Sequence, residues 1–170
     1  MSSERTKRSL RDLVLSLVVV GAFVAFLYVV VWRPSPEPVR TVDPVPALTA
    51  AREQADYPVL APTGLSAQWR ATSARFEGDE NDTTWFLGYV TPEDQYVALA
   101  QTDGDASEFI ADQTLQGQPD GERSVSDRQW RQYTTDDQRS LVTSVDGSTV
   151  VVTGTVSYEQ LADFASRLSS

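Results

Sequence analysis

The chain has no cysteine and no histidine, and its single lysine is Lys7. Without cysteine there is no disulfide, thiolate metal site, thiol nucleophile or lipid-modified cysteine. Without histidine, the commonest general base and the commonest transition-metal ligand are both missing. A Ser-His-Asp triad, a papain-like dyad and a histidine zinc site are therefore excluded, and a Ser-Lys dyad is excluded everywhere beyond Lys7. An exported domain of this size folds without disulfides, so the missing cysteine does not argue against export. No motif selects a pair of carboxylates for hydrolysis, no cofactor is implied, and the chain is not expected to be an enzyme.

What is present is unevenly distributed. The net charge is −10 over 170 residues. Arg5, Lys7, Arg8 and Arg11 outnumber Glu4 and Asp12 at the start, whereas from Arg33 onward ten arginines face twenty-two acidic residues. So acidic a domain is repelled by nucleic acid and by anionic headgroups, and its charge otherwise serves solubility.

Between these regions, Leu13 to Trp32 reads LVLSLVVVGAFVAFLYVVVW, with Ser16 as its one clearly polar side chain and no charge. Twenty residues at a helical rise span about 30 Å, the thickness of a bilayer's hydrocarbon core. The sequence predicts a single transmembrane helix over residues 13–32. Arg8 and Arg11 flank it on the near side, and Tyr28, Trp32 and Arg33 mark the far interface. The basic excess before the run orients residues 1–12 to the cytoplasm and the remainder outside, which predicts a single-pass protein of the plasma membrane. A cleaved signal peptide is the competing reading. Its apolar region is shorter and ends in small residues, whereas this run ends Val-Val-Val-Trp-Arg-Pro.

Residues 33–46, RPSPEPVRTVDPVP, form a proline-rich linker, expected to be an extended spacer. The extracytoplasmic domain then occupies residues 47–170. Asp43 and Pro44 suit the start of a helix reaching about Asp56. Strands are predicted at 68–76, 83–90 and 95–101, the last two joined by the turn Thr91-Pro92-Glu93-Asp94. Asp105-x-x-Glu108 has capping-box spacing and opens a helix with Phe109, Ile110 and Leu115 on its apolar face, ended by Gly117. Residues 118–122 read as a loop. Strands follow faintly at 123–127, then at 129–134, 141–145 and 149–155, with Asp146-Gly147 as a hairpin signal. Ser157-x-x-Gln160 caps a last helix with Leu161, Phe164, Ala165 and Leu168 on one face. This order predicts an α+β fold: one N-terminal transmembrane helix, then a mostly antiparallel sheet with helices packed on one face.

Three places invite a functional reading. Trp69, Trp85, Tyr89, Trp130 and Tyr133 form an aromatic set; such residues commonly build the core of a sheet domain, and those on an uncovered face make an interaction surface. The loop Asp79-Glu80-Asn81-Asp82 offers oxygen ligands of the kind Ca²⁺ takes, but lacks the EF-hand glycine and distant glutamate, so a solvated loop is expected. Pro62-Thr63-Gly64 is a turn, with neither the helix cap nor the lysine of a phosphate site.

The segments RDLVLSLVVV, YPVLAPTGL, QWRATSARF, GYVTP, QWRQY and VVVTGTVSYEQLADFASRL, taken together, resemble an actinobacterial family known as domain of unknown function 4245. The likeness runs from about Arg11 to Leu168. It is most specific at Pro58 to Leu65, with Trp69 beyond it, and at Val152 to Gly154. The resemblance implies a membrane-anchored envelope protein without an assigned activity, and it supplies no catalytic residue. The leading functional expectation is a non-enzymatic module that binds an envelope protein or a cell-wall component. A small-ligand or lipid carrier is the alternative, and a carboxylate-dependent hydrolase a third reading.

Overall fold

The computed structural model describes residues 17–22, 40–78 and 82–170. The chain divides into two compact units, Met1–Val39 and Arg40–Ser170. In the first, residues 17–22 are helical, inside the run expected to span the bilayer. The rest of that run, together with Arg8, Arg11, Tyr28, Trp32 and Arg33, lies outside the described residues. Among the described residues no helix is long and apolar enough to cross a membrane.

The second unit begins inside the expected linker, because Val42 N donates to Ala71 O at 2.9 Å and ties the incoming chain to the sheet. Helix α1 (Val45–Gln54) follows; Pro44 stands at its N-cap and Asp43 Oδ1 accepts from Val45 N at 3.0 Å. The remaining order is β1 (Ala61–Pro62), β2 (Arg70–Gly78), β3 (Thr83–Val90), β4 (Tyr96–Thr102), α2 (Ala106–Gln113), β5 (Gln118–Val125), β6 (Arg128–Thr134), β7 (Arg139–Val145), β8 (Ser148–Gly154), α3 (Tyr158–Ser166) and β9 (Leu168–Ser169). Strands β2 to β8 form one seven-stranded sheet in the order β2-β3-β4-β8-β7-β6-β5, every pair antiparallel. β1 and β9 pair separately. The α+β class with its antiparallel sheet is as the sequence predicts.

Strand β8 sits at the centre, and every one of its residues is buried. Its apolar run therefore does not alternate, as expected of a strand covered on both sides. One face carries Trp85, Leu87, Val97, Leu99, Val152 and Leu141, which pack with Leu161, Phe164 and Ala165 of α3 and with Tyr57–Ala61. The other face carries Ala98, Ala100, Val151 and Val142, all buried, and α2 lies against β4 and β8. A cavity that joins Ala106 and Ile110 of α2 to Val142 and Thr149 places α2 over this second face. The helices are thus not confined to one face: small apolar residues at the centre of the second face need cover, and α2 supplies it.

Two local expectations are corrected. Residues 118–122 are strand, not loop: β5 is an edge strand with a register shift between Pro119 and Glu122, and Gly121 takes φ +107 there. A proline and a bulge are tolerated only because the strand has a free edge. Helix α2 stops at Gln113, and Leu115 and Gln116, not Gly117, take left-handed φ of 54° and 55°. Leu115 consequently points away from the core and is 63% exposed.

Candidate ligand cavity

The five aromatic residues do not form one surface. Trp85 is fully buried and its Nε1 donates to Leu60 O at 2.9 Å. Trp130 is also buried, and its Nε1 has no hydrogen-bond partner among the described residues. Tyr133 is half-buried beneath the guanidinium of Arg131, 5.9 Å from its ring centre, and belongs with the opposite face of the sheet. Only Trp69 and Tyr89 come together, and both pack on Phe164. Trp69 stacks on Phe164 with centroids 5.7 Å apart, and Tyr89 meets Trp69 edge-on at 6.1 Å and Phe164 at 6.0 Å. Burial raises the pKa of the Tyr89 hydroxyl, consistent with its place in this cluster.

Trp69 is half-buried, and the part of its ring not taken up by Phe164 and Tyr89 meets an open cavity of about 330 Å³. Three elements supply the walls. Trp69 immediately precedes β2 and Thr91 immediately follows β3, and these strand ends adjoin because Arg70 pairs with Val90. The turn after β3 is fixed by its own bonds: Thr91 Oγ1 accepts from Glu93 N and from Gln95 N, each at 3.2 Å, and Thr91 N donates to Gln95 O at 2.8 Å. Glu93 is thereby set on the rim. The third wall is the first turn and a half of α3, where a complete capping box between Ser157 and Gln160 fixes the helix start. Glu159 and Asp163, four residues apart, share one face of that helix and turn to the cavity with Gln160.

Of the three carboxylates, Asp163 is engaged: Arg167 Nε and Nη2 donate to it at 3.1 and 3.2 Å, which raises the Arg167 pKa. Arg167 also donates to Gly64 O at 3.2 Å, so the turn at Pro62-Thr63-Gly64 serves to anchor the end of α3. Glu93 and Glu159 are exposed and have no ion-pair partner among the described residues. Arg70, close by, pairs with Asp94.

Sequence reasoning singled out Trp69 but none of Glu93, Glu159 and Asp163 as site residues. They come from a turn and a helix more than sixty positions apart, and each reads alone as a surface charge. The acidic loop behaves differently. Residues 79–81 lie outside the described residues, while Asp82 lines a second cavity with Asp105, Glu108 and Asp112. Among the described residues no three acidic side chains are grouped so as to hold a metal ion.

The fold and cavity define an α+β domain, built on a seven-stranded antiparallel sheet, that presents an aromatic-floored, acid-rimmed recess at its surface. The chain belongs to the family described as protein of unknown function (DUF4245), whose model matches residues 5–168. No curated protein matches the chain. The two segments that carry the likeness now have physical roles. Pro58 to Leu60 is bonded to Gln101 and Trp85, and Gly154 lies where any side chain would strike the Tyr96 carbonyl.

Proposed function

We propose that the protein is a single-pass, plasma-membrane-anchored envelope protein whose C-terminal domain acts outside the membrane as a non-enzymatic binding module for an envelope protein or cell-wall partner, with the Trp69 cavity as its point of contact. One observation carries this: a tryptophan ring held rigid by Phe164 and Tyr89 is left partly open to a recess of ligand size. Rigid aromatic anchors in recesses dominate binding energy because little entropy is lost on association. The anchoring part rests on the charge-free run at 13–32 and its basic flank.

A carboxylate hydrolase also needs converging acids, and Glu93, Glu159 and Asp163 do line one cavity. Its general acid, however, must be held protonated by burial. All three residues are exposed, and Asp163 is bound by Arg167. The carrier reading draws no support from these cavities, which are lined in part by exposed charged residues.

The test is site-specific photocrosslinking in intact cells, with a benzophenone amino acid at Pro92 on the rim or at Asp127 in the β5–β6 turn. A discrete adduct from position 92, absent from position 127 and lost on Trp69→Ala, supports the proposal. The same adducts from both positions would count against it.

A further inference from the structure

Building on the reading of the Trp69 cavity as a binding site, we infer that its ligand is a cationic side chain: a primary ammonium on an aliphatic stem, as in a lysine of a partner peptide. When ionised, Glu93, Glu159 and Asp163 accept hydrogen bonds and donate none. Two further acceptors are occupied: Gln160 Oε1 accepts from Ser157 N at 3.1 Å, and Thr91 Oγ1 accepts two backbone amides. Pro92 contributes no N–H. No basic side chain lines the cavity; Arg70, next to Trp69 in the chain, is paired with Asp94, and Arg167 with Asp163.

A lining with three carboxylates and no basic side chain is complementary to a group with only donors. An ammonium has three donors and no acceptor. Glu93 and Glu159, having no ion-pair partner of their own among the described residues, come from different elements of the lining and offer charge-assisted hydrogen bonds to it. The indole of Trp69 supplies the rest. Tryptophan is the best aromatic partner for a cation, and its flat ring packs methylene groups. A recess of about 330 Å³ takes a four-carbon stem with its head group. Anions are repelled, and a neutral ligand forgoes both the charge-assisted bonds to the carboxylates and the cation–π contact with Trp69.

The experiment uses the full chain in lipid nanodiscs. The indole N–H signal of Trp69 is followed by ¹H–¹⁵N NMR and assigned by its disappearance in Trp69→Phe. Nα-acetyl-lysine amide is the probe, its Nε-acetylated form the uncharged control, and glucosamine an ammonium on a sugar. The inference predicts a saturable shift with the lysine derivative and at least tenfold weaker binding after acetylation. It also predicts at least tenfold weaker binding to Glu93→Gln/Glu159→Gln, whose other indole signals are unmoved. Equal binding of charged and acetylated probes overturns the cationic ligand but leaves the cavity as a binding site. Preference for glucosamine overturns the aliphatic stem. If no probe shifts Trp69 although position 92 crosslinks a partner, the ligand class is wrong and the site stands; if position 92 also fails, both fall.

Discussion

Leu60 and Gln101, 41 residues apart in the chain, are joined by a buried hydrogen bond in which Leu60 N donates to Gln101 Oε1 at 3.0 Å. The same side-chain amide donates to Pro58 O and to Ser148 Oγ, both at 2.9 Å. A fully buried glutamine in the middle of a sheet is tolerated because all of these bonds are made. Its effect is to hold Tyr57–Leu60, an irregular segment that no ladder supports, against the face of the sheet that α3 covers. Trp85 Nε1, bonded to Leu60 O, fixes the same segment from the neighbouring strand.

Gln101→Ala should therefore cost more than lost packing. It strands Leu60 N and Pro58 O in an apolar interior, and each unpaired buried group costs about 1–3 kcal/mol. A loss of about 2–4 kcal/mol is expected from thermal unfolding of the full chain followed by near-UV circular dichroism. A change within about 0.5 kcal/mol, the range of ordinary surface substitutions, would show that water replaces the amide at no cost.

Gly154→Ala tests the close pairing of β4 with β8. A Cβ at this position would lie 2.2 Å from the Tyr96 carbonyl oxygen and 3.2 Å from Val97 Cα. Both are backbone atoms of β4, which pairs with β8 through Val97 and Gly154. The strands must separate at the sheet centre, and overpacking of this kind costs about 1–3 kcal/mol or more. The expected result is a lowered unfolding midpoint. By contrast, Gly21→Ala, whose Cβ would meet no other part of the described residues within 4 Å, should leave that midpoint unchanged.

Alkaline stability should depend on Tyr158. Its hydroxyl has two acceptors in reach, Asp120 Oδ2 at 2.9 Å and Tyr133 O at 3.0 Å, and its single proton serves one of them at a time. Burial first, and then the Asp120 carboxylate, push its pKa from 10.0 up to about 12. Burial also raises Tyr57, Tyr89 and Tyr96. The neutral form is the one the fold favours, so this contribution is whole below pH 10.0 and is lost as pH rises toward about 12. Unfolding midpoints measured from pH 8 to 12 should fall less steeply in Tyr158→Phe than in the parent. Equal slopes would mean that the hydroxyl is not held neutral by its surroundings.

The strands with strong local signals were legible from residue order. β3 is found at Thr83–Val90 as read, and the Asp146-Gly147 hairpin forms with φ of 45° and 87° at its two central residues. The capping box at Ser157 and Gln160 is complete. β5 was not legible, because Pro119, Gly121 and its charged residues belong to an edge strand whose pairing, not composition, makes it a strand. Its turn to β6 uses Ser126 and Asp127 at positive φ, without the glycine that marks such turns. The cavity was legible only through Trp69. Glu93, Glu159 and Asp163 line one cavity because the start of β2, the end of β3 and the start of α3 lie together, which is a property of topology and not of spacing.

The absence of cysteine makes the central claim directly measurable. Single cysteines placed at Ser3 or at exposed Asp136 are exposed to a membrane-impermeant maleimide on intact cells whose wall has been made permeable. An anchored module with its domain outside predicts labelling at position 136 in intact cells and at position 3 only after lysis. Labelling of position 3 but not 136 before lysis would place the cavity in the cytoplasm and contradict the account.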